Sequence, residues 1–109
     1  MIHKLEPAAR GSSFGGQFVR WISQNNLLTI NLRRVQIRGR KRNYDTGVIT
    51  AITGLLQPDQ DDPTRFKWSY SAQDVAVSGL FEVQFSAHYP DQTIDKTPIM
   101  HWNVTDAII

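Results

Sequence analysis

From Phe81 to Tyr89 every odd position is apolar (Phe81, Val83, Phe85, Ala87, Tyr89), whereas Glu82, Gln84, Ser86 and His88 between them are polar. Such alternation predicts a half-buried antiparallel strand, because successive side chains of an extended chain point to opposite faces. Phe66, Trp68 and Tyr70 predict an aromatic strand over residues 65–70, and Ile99, Trp102 and Val104 a closing strand over 98–105. Pro98, at its start, suits an edge or first position. Ser71, with Asp74 three residues on, predicts a capped turn of helix before the alternating strand. Residues 17–22 read as the first strand and 23–26 as a turn, by their Asx content. Leu28, Ile30 and Leu32 then keep one parity and Val35 and Ile37 the other. That switch predicts a bulge, a break or a change of sheet near Arg33 and Arg34.

Residues 38–42 carry no apolar side chain, and Asn43-Tyr44-Asp45-Thr46-Gly47 supplies turn chemistry before a β-branched run from Val48 to Thr53. The pattern predicts a hairpin with a basic tip. Residues 54–64, with Pro58, Pro63 and three aspartates, read as an exposed loop. Residues 1–16 are rich in Gly, Ser, Ala and Pro, with Leu5 and Phe14 as sizeable anchors after the first two residues, and predict an extended arm. Six to eight short strands at regular spacing predict an all-β fold: an antiparallel β-sandwich over 17–105, an arm over 1–16 and a short tail over 106–109.

Composition narrows this picture. A chain of 109 residues, 40% hydrophobic and 20% charged, is the size of one domain. Without cysteine there are no disulfides, thiolate metal sites or thiol chemistry, so packing alone must hold the fold. No stretch has the length and apolar character of a signal peptide or membrane span, so synthesis in the cytoplasm and no membrane partner are expected. The sequon Asn103-Val104-Thr105 is discounted with the secretory route. The formal charge is only +2, yet Arg33, Arg34, Arg38, Arg40, Lys41 and Arg42 fall within ten positions, against one dense acidic run, Asp59-Gln60-Asp61-Asp62.

Phe66-Lys67-Trp68-Ser69-Tyr70-Ser71, then Asp74, then Gly79-Leu80-Phe81-Glu82-Val83-Gln84-Phe85, Tyr89-Pro90-Asp91-Gln92, Pro98 and Trp102-Asn103-Val104 resemble the immunoglobulin-like N-terminal domain of phage baseplate upper proteins. The likeness covers about residues 17–105, with Gln92 standing where the family's turn carries glycine. It implies an immunoglobulin-like sandwich in a virion. Those proteins continue into a long helical or fibre-like part, which 109 residues do not hold. A stand-alone sandwich with an arm therefore suggests a capsid decoration or cement subunit, and a tail or baseplate component is the alternative.

For chemistry, His88 and His101 are expected on the two arms of the last hairpin, but no third ligand recurs at a useful spacing, so no metal and no cofactor are expected. Serines and aspartates fall in turns and caps, where local hydrogen bonding explains them, and the Gly/Ser segment 11–16 lacks a phosphate loop's lysine. No catalytic residue is assigned. The aromatic stripe reads as core, with Trp21 and Trp102 less firmly inside. Partner contacts are expected from Leu5 and Phe14 on the arm and from Arg33, Arg34, Arg38, Arg40, Lys41 and Arg42, pairing with carboxylates of the major capsid protein or of neighbouring subunits, including sister copies in a homo-oligomer. Nucleic-acid binding through residues 38–42 is a further, less favoured alternative.

Overall fold

A computed structural model describes residues 3–12, 14–25 and 30–106. Ten strands form, and among the described residues there is no helix. The strands are β1 (His3–Lys4), β2 (Ala8–Ala9), β3 (Gly16–Arg20), β4 (Gln36–Asn43), β5 (Ile49–Ala51), β6 (Leu55–Pro58), β7 (Arg65–Ser69), β8 (Gly79–His88), β9 (Ile94–Lys96) and β10 (Met100–Thr105). One sheet has seven strands, in the order β1-β10-β8-β4-β5, with β2 also on β10 and β9 also on β8; the other has the order β3-β7-β6. The chain is therefore an all-β sandwich.

The predicted alternation fixes the core. Phe81, Val83, Phe85 and Ala87 of β8 point inward, beside Met100, Trp102 and Val104 of β10. Phe66 and Trp68 of β7 face them from the second sheet, with ring centroids 4.9 Å (Phe66–Phe85) and 4.5 Å (Trp68–Trp102) apart. Edge-on and tilted contacts of this kind add to the burial of large rings. Trp21 and Trp102 are both buried. The indole N–H of Trp21 donates to Asp95 at 2.8 Å, and that buried carboxylate also accepts from Ser23 and Asn25.

A second buried carboxylate pins the chain where it crosses between the sheets. Asp74 is fully enclosed. Its Oδ1 accepts the Thr53 amide at 3.0 Å, and its Oδ2 accepts the Gly54 and Ser71 amides and the Trp68 indole N–H at 3.0–3.1 Å. The Ser71 hydroxyl in turn accepts the Asp74 amide at 3.1 Å. The predicted capping exchange is present, yet it closes a turn instead of starting a helix. Gly54 is required there: a Cβ would fall 2.4 Å from Asp74 Oδ2 and 2.3 Å from the Ser69 carbonyl.

Further expectations are corrected. Residues 38–42 are not a hairpin tip: they lie inside β4, which pairs with β8 along its whole length, and the turn is at 44–47. There Asn43 Oδ1 accepts the amides of Asp45 and Thr46, and Gly47 takes φ 72°. The expected loop 54–64 contains β6, whose Pro58 sits at the last position of an edge strand, where a missing N–H costs little. Gln92 adopts φ 72° without glycine, closing the turn by donating its amide to the Tyr89 carbonyl. His88 and His101 do not face each other: His101 lies opposite Glu82, and His88 opposite Gln36 and Ile94. Leu28 lies outside the described residues, but the predicted break is a turn at Arg33 and Arg34 that leads into β4.

The expected arm is packed down along β10 instead. β1 and β2 pair in parallel with β10, the Leu5 amide donates to the His101 carbonyl at 2.8 Å, and Ala8 is buried. Gln17 acts as a clamp: its side chain accepts the Glu6 amide and donates to the Glu6 carbonyl and the Tyr70 hydroxyl. These residues are too small and too widely spaced to announce a strand, and their ladder partner lies some 97 positions away. Deleting residues 1–10 should lower unfolding stability by about 2–4 kcal/mol, from lost apolar burial and the stranded Gln17 amide, measured by urea titration. An unchanged midpoint would restore the free arm.

Candidate docking surface

Alternation along β4 sorts its basic residues onto two faces. Arg38, Arg40 and Arg42 stand outward, while Ile37, Gly39 and Lys41 turn into the sandwich. Gly39 allows close packing: a Cβ would meet Ile52 Cδ1 at 2.8 Å and the Phe85 ring at 2.9 Å. On the outer face Arg38 lies opposite Ser86, Arg40 opposite Gln84 and Ala51, and Arg42 opposite Glu82 and Ile49. β9 adds Lys96 beside Ser86.

Lys41 departs from its expected role as a contact residue. It is 7% exposed, its ammonium donates to the carbonyls of Asp74 (2.9 Å) and Gln73 (3.4 Å), and it stands 4.7 Å over the Phe81 ring. Burial lowers its pKa from 10.5, partly opposed by the charge of Asp74. Leu5 is half-buried against the core, and Phe14 is wholly exposed in a turn. Arg42 is held by Glu82, with a shortest contact of 2.8 Å.

The remaining arginines meet around one space. A groove of about 1200 Å³ is lined by Arg33, Arg34, Arg38 and Arg40, with Leu55 and Leu56 as an apolar wall, and extends to His88, Ile94 and Lys96. Among the described residues none of Arg33, Arg34, Arg38, Arg40 and Lys96 makes an ion pair; Arg38 reaches only the Gln36 amide oxygen, at 3.3 Å. The acidic run does not compensate them. Asp59 binds Arg65, and Asp62 binds Arg20 at 3.1 Å. The Thr64 hydroxyl and amide, and then Arg20, hold the Asp62 carboxyl at about 2. Sequence reasoning missed Leu55, Leu56, Lys96 and Ile94, because the groove joins β4 to segments up to 60 positions away, and a spacing pattern carries no such information.

Chemically, this surface offers guanidinium and ammonium donors beside apolar side chains. Ser86 and His88 share a hydrogen bond of 3.0 Å, but no carboxylate bonds the His88 ring among the described residues, so the pair lacks the third group that orients a catalytic base. No three His, Cys, Asp or Glu side chains gather as a metal site among the described residues. No described helix is long and apolar enough to cross a membrane. No family model, curated protein or solved structure matches this chain.

Lys41 gives a pH signature distinct from the outer arginines. Its folded pKa lies below 10.5, so between the two values the unfolded chain binds more protons and stability rises with pH. Tyr70 and Tyr89, whose pKa values burial raises, act oppositely and remove stability above pH 10. Urea titrations should show stability rising as pH approaches 10 and falling beyond it, and Lys41→Met should flatten the rising limb. The same limb in the variant would place the Lys41 ammonium in water.

Proposed function

We propose that this protein is a non-enzymatic structural component of a phage particle, an immunoglobulin-like sandwich that docks on a neighbouring subunit through its arginine groove. The capsid shell is the expected neighbour, and the role is decoration or cement. The observation that carries the docking part is the set of five cations that, among the described residues, make no ion pair around one groove at the edge of the large sheet. Arginine forks pair with carboxylates in two-pronged hydrogen bonds, so an acidic patch on the neighbour fits them. The virion setting is supported by the resemblance of residues 66–104. Many copies on a lattice, as an oligomer, add avidity to contacts that are weak singly.

A tail or baseplate position is the second reading. It is favoured by the pairing of β1 and β2 with the protein's own β10, which removes the free arm that argued for a shell. Cryo-electron microscopy of purified particles tests both: density on the shell lattice supports the first reading and density in the tail the second. In either place, Arg38→Glu with Arg40→Glu should lower particle occupancy about tenfold or more, and wild-type occupancy should fall with salt. Absence of the protein from washed particles would overturn the proposal.

A further inference from the structure

The groove coincides with a gap in the strand pairing. β5 pairs with β4 only at Arg40–Arg42, after which the chain leaves for the second sheet. Gly39 accepts the Ile52 amide at 2.9 Å, and Asn43 donates to the Val48 carbonyl at 2.9 Å, so the odd residues of β4 direct their backbone groups away from β8. Backbone groups alternate sides along a strand, which turns the N–H and C=O of Ile37 toward the same edge. Among the described residues no strand pairs with β4 there.

We propose that an extended acidic segment of a partner protein adds as a short strand to the open edge of β4 at Ile37, setting its carboxylates against Arg33, Arg34, Arg38 and Arg40. This rests on the docking reading above and specifies the conformation and chemistry of what docks. Strand addition draws affinity from main-chain hydrogen bonds and specificity from alternate side chains. Outward side chains on β4 recur about every 7 Å, so Arg38 and Arg40 match carboxylates at alternate positions of an extended chain. The exposed Leu55 and half-buried Leu56 receive apolar side chains of its other face. The flanking arginines disfavour a second copy on this edge, since like charges would meet. Asp59 and Asp62 of the protein's own acidic run are already engaged by Arg65 and Arg20.

Nucleic acid fits less well. Strand-tracking sites stack bases on exposed aromatic rings, and of the two rings that line this groove Phe85 is fully buried and the half-buried His88 imidazole is engaged by Ser86.

The test uses the full chain and three fluorescent probes: a ten-residue peptide alternating Asp and Val, the same peptide with Lys for Asp, and a ten-nucleotide oligo-dT. Anisotropy should show binding of the Asp peptide that weakens with salt and no binding of the Lys peptide. Arg38→Ser with Arg40→Ser should weaken it about tenfold, with an unchanged urea midpoint because both side chains are exposed. Hydrogen exchange should show the Ile37 amide gaining protection on binding. Binding without that protection, equal binding of the Lys peptide, tighter binding of oligo-dT, or no binding at all would each overturn the proposal. Particle microscopy separates the two readings: a particle-bound protein that ignores the Asp peptide fails only the strand addition, and a peptide binder absent from particles fails only the virion role.

Discussion

One buried carboxylate organises this sandwich. Enclosing the charge of Asp74 costs several kcal/mol unless hydrogen bonds replace its water. Four donors do so, and they come from separate places: the Trp68 indole on β7, the Thr53 and Gly54 amides where the chain crosses between sheets, and the Ser71 amide that begins the next turn. Lys41 adds a fifth connection by donating to the Asp74 carbonyl from the other sheet. A single residue thereby fixes the crossover against both layers, its carboxylate toward the small sheet and its backbone carbonyl toward the large one.

The groove follows from that crossover. Because the chain turns away from the large sheet after Ala51 and is pinned at Thr53 and Gly54, β5 ends early, and among the described residues the 36–38 end of β4 has no paired strand on that edge. Gly39 lets Ile52 seat against Phe85 beneath it, and the Trp68–Trp102 and Phe66–Phe85 contacts hold the layers at fixed spacing. Arg38 and Arg40 then stand on a paired strand instead of a hairpin tip, with Arg33 and Arg34 in the turn that leads into it. Their geometry is preset, which reduces the ordering cost of binding.

The parts legible in the sequence were those with period-two patterning: the alternation of β8, the aromatic stripe of β7, the turn chemistry at 43–47 and the break near Arg33. β4 was hidden beyond Ile37 because its next inward positions are filled by Gly39 and by the aliphatic stem of Lys41, neither of which counts as apolar in a pattern. β6 was hidden by its flanking Gly54 and terminal Pro58, and β1 and β2 by lengths of two residues each. The capping signal of Ser71 and Asp74 was chemically right and structurally misleading: both hydrogen bonds form, but the carboxylate goes on to serve three more donors that lie far off in sequence or belong to a side chain. The arginines that share the groove were readable as a cluster, while its apolar wall and Lys96 were not.

The most direct measurement of this account is amide and indole hydrogen exchange in Asp74→Asn, compared with the wild type. The substitution keeps the shape, removes the charge and replaces one acceptor oxygen by a carboxamide NH2 that faces N–H donors. The account predicts a stability loss of about 3–5 kcal/mol, with the Thr53 and Gly54 amides and the Trp68 indole losing protection together. Wild-type protection at those three groups with wild-type stability would contradict it.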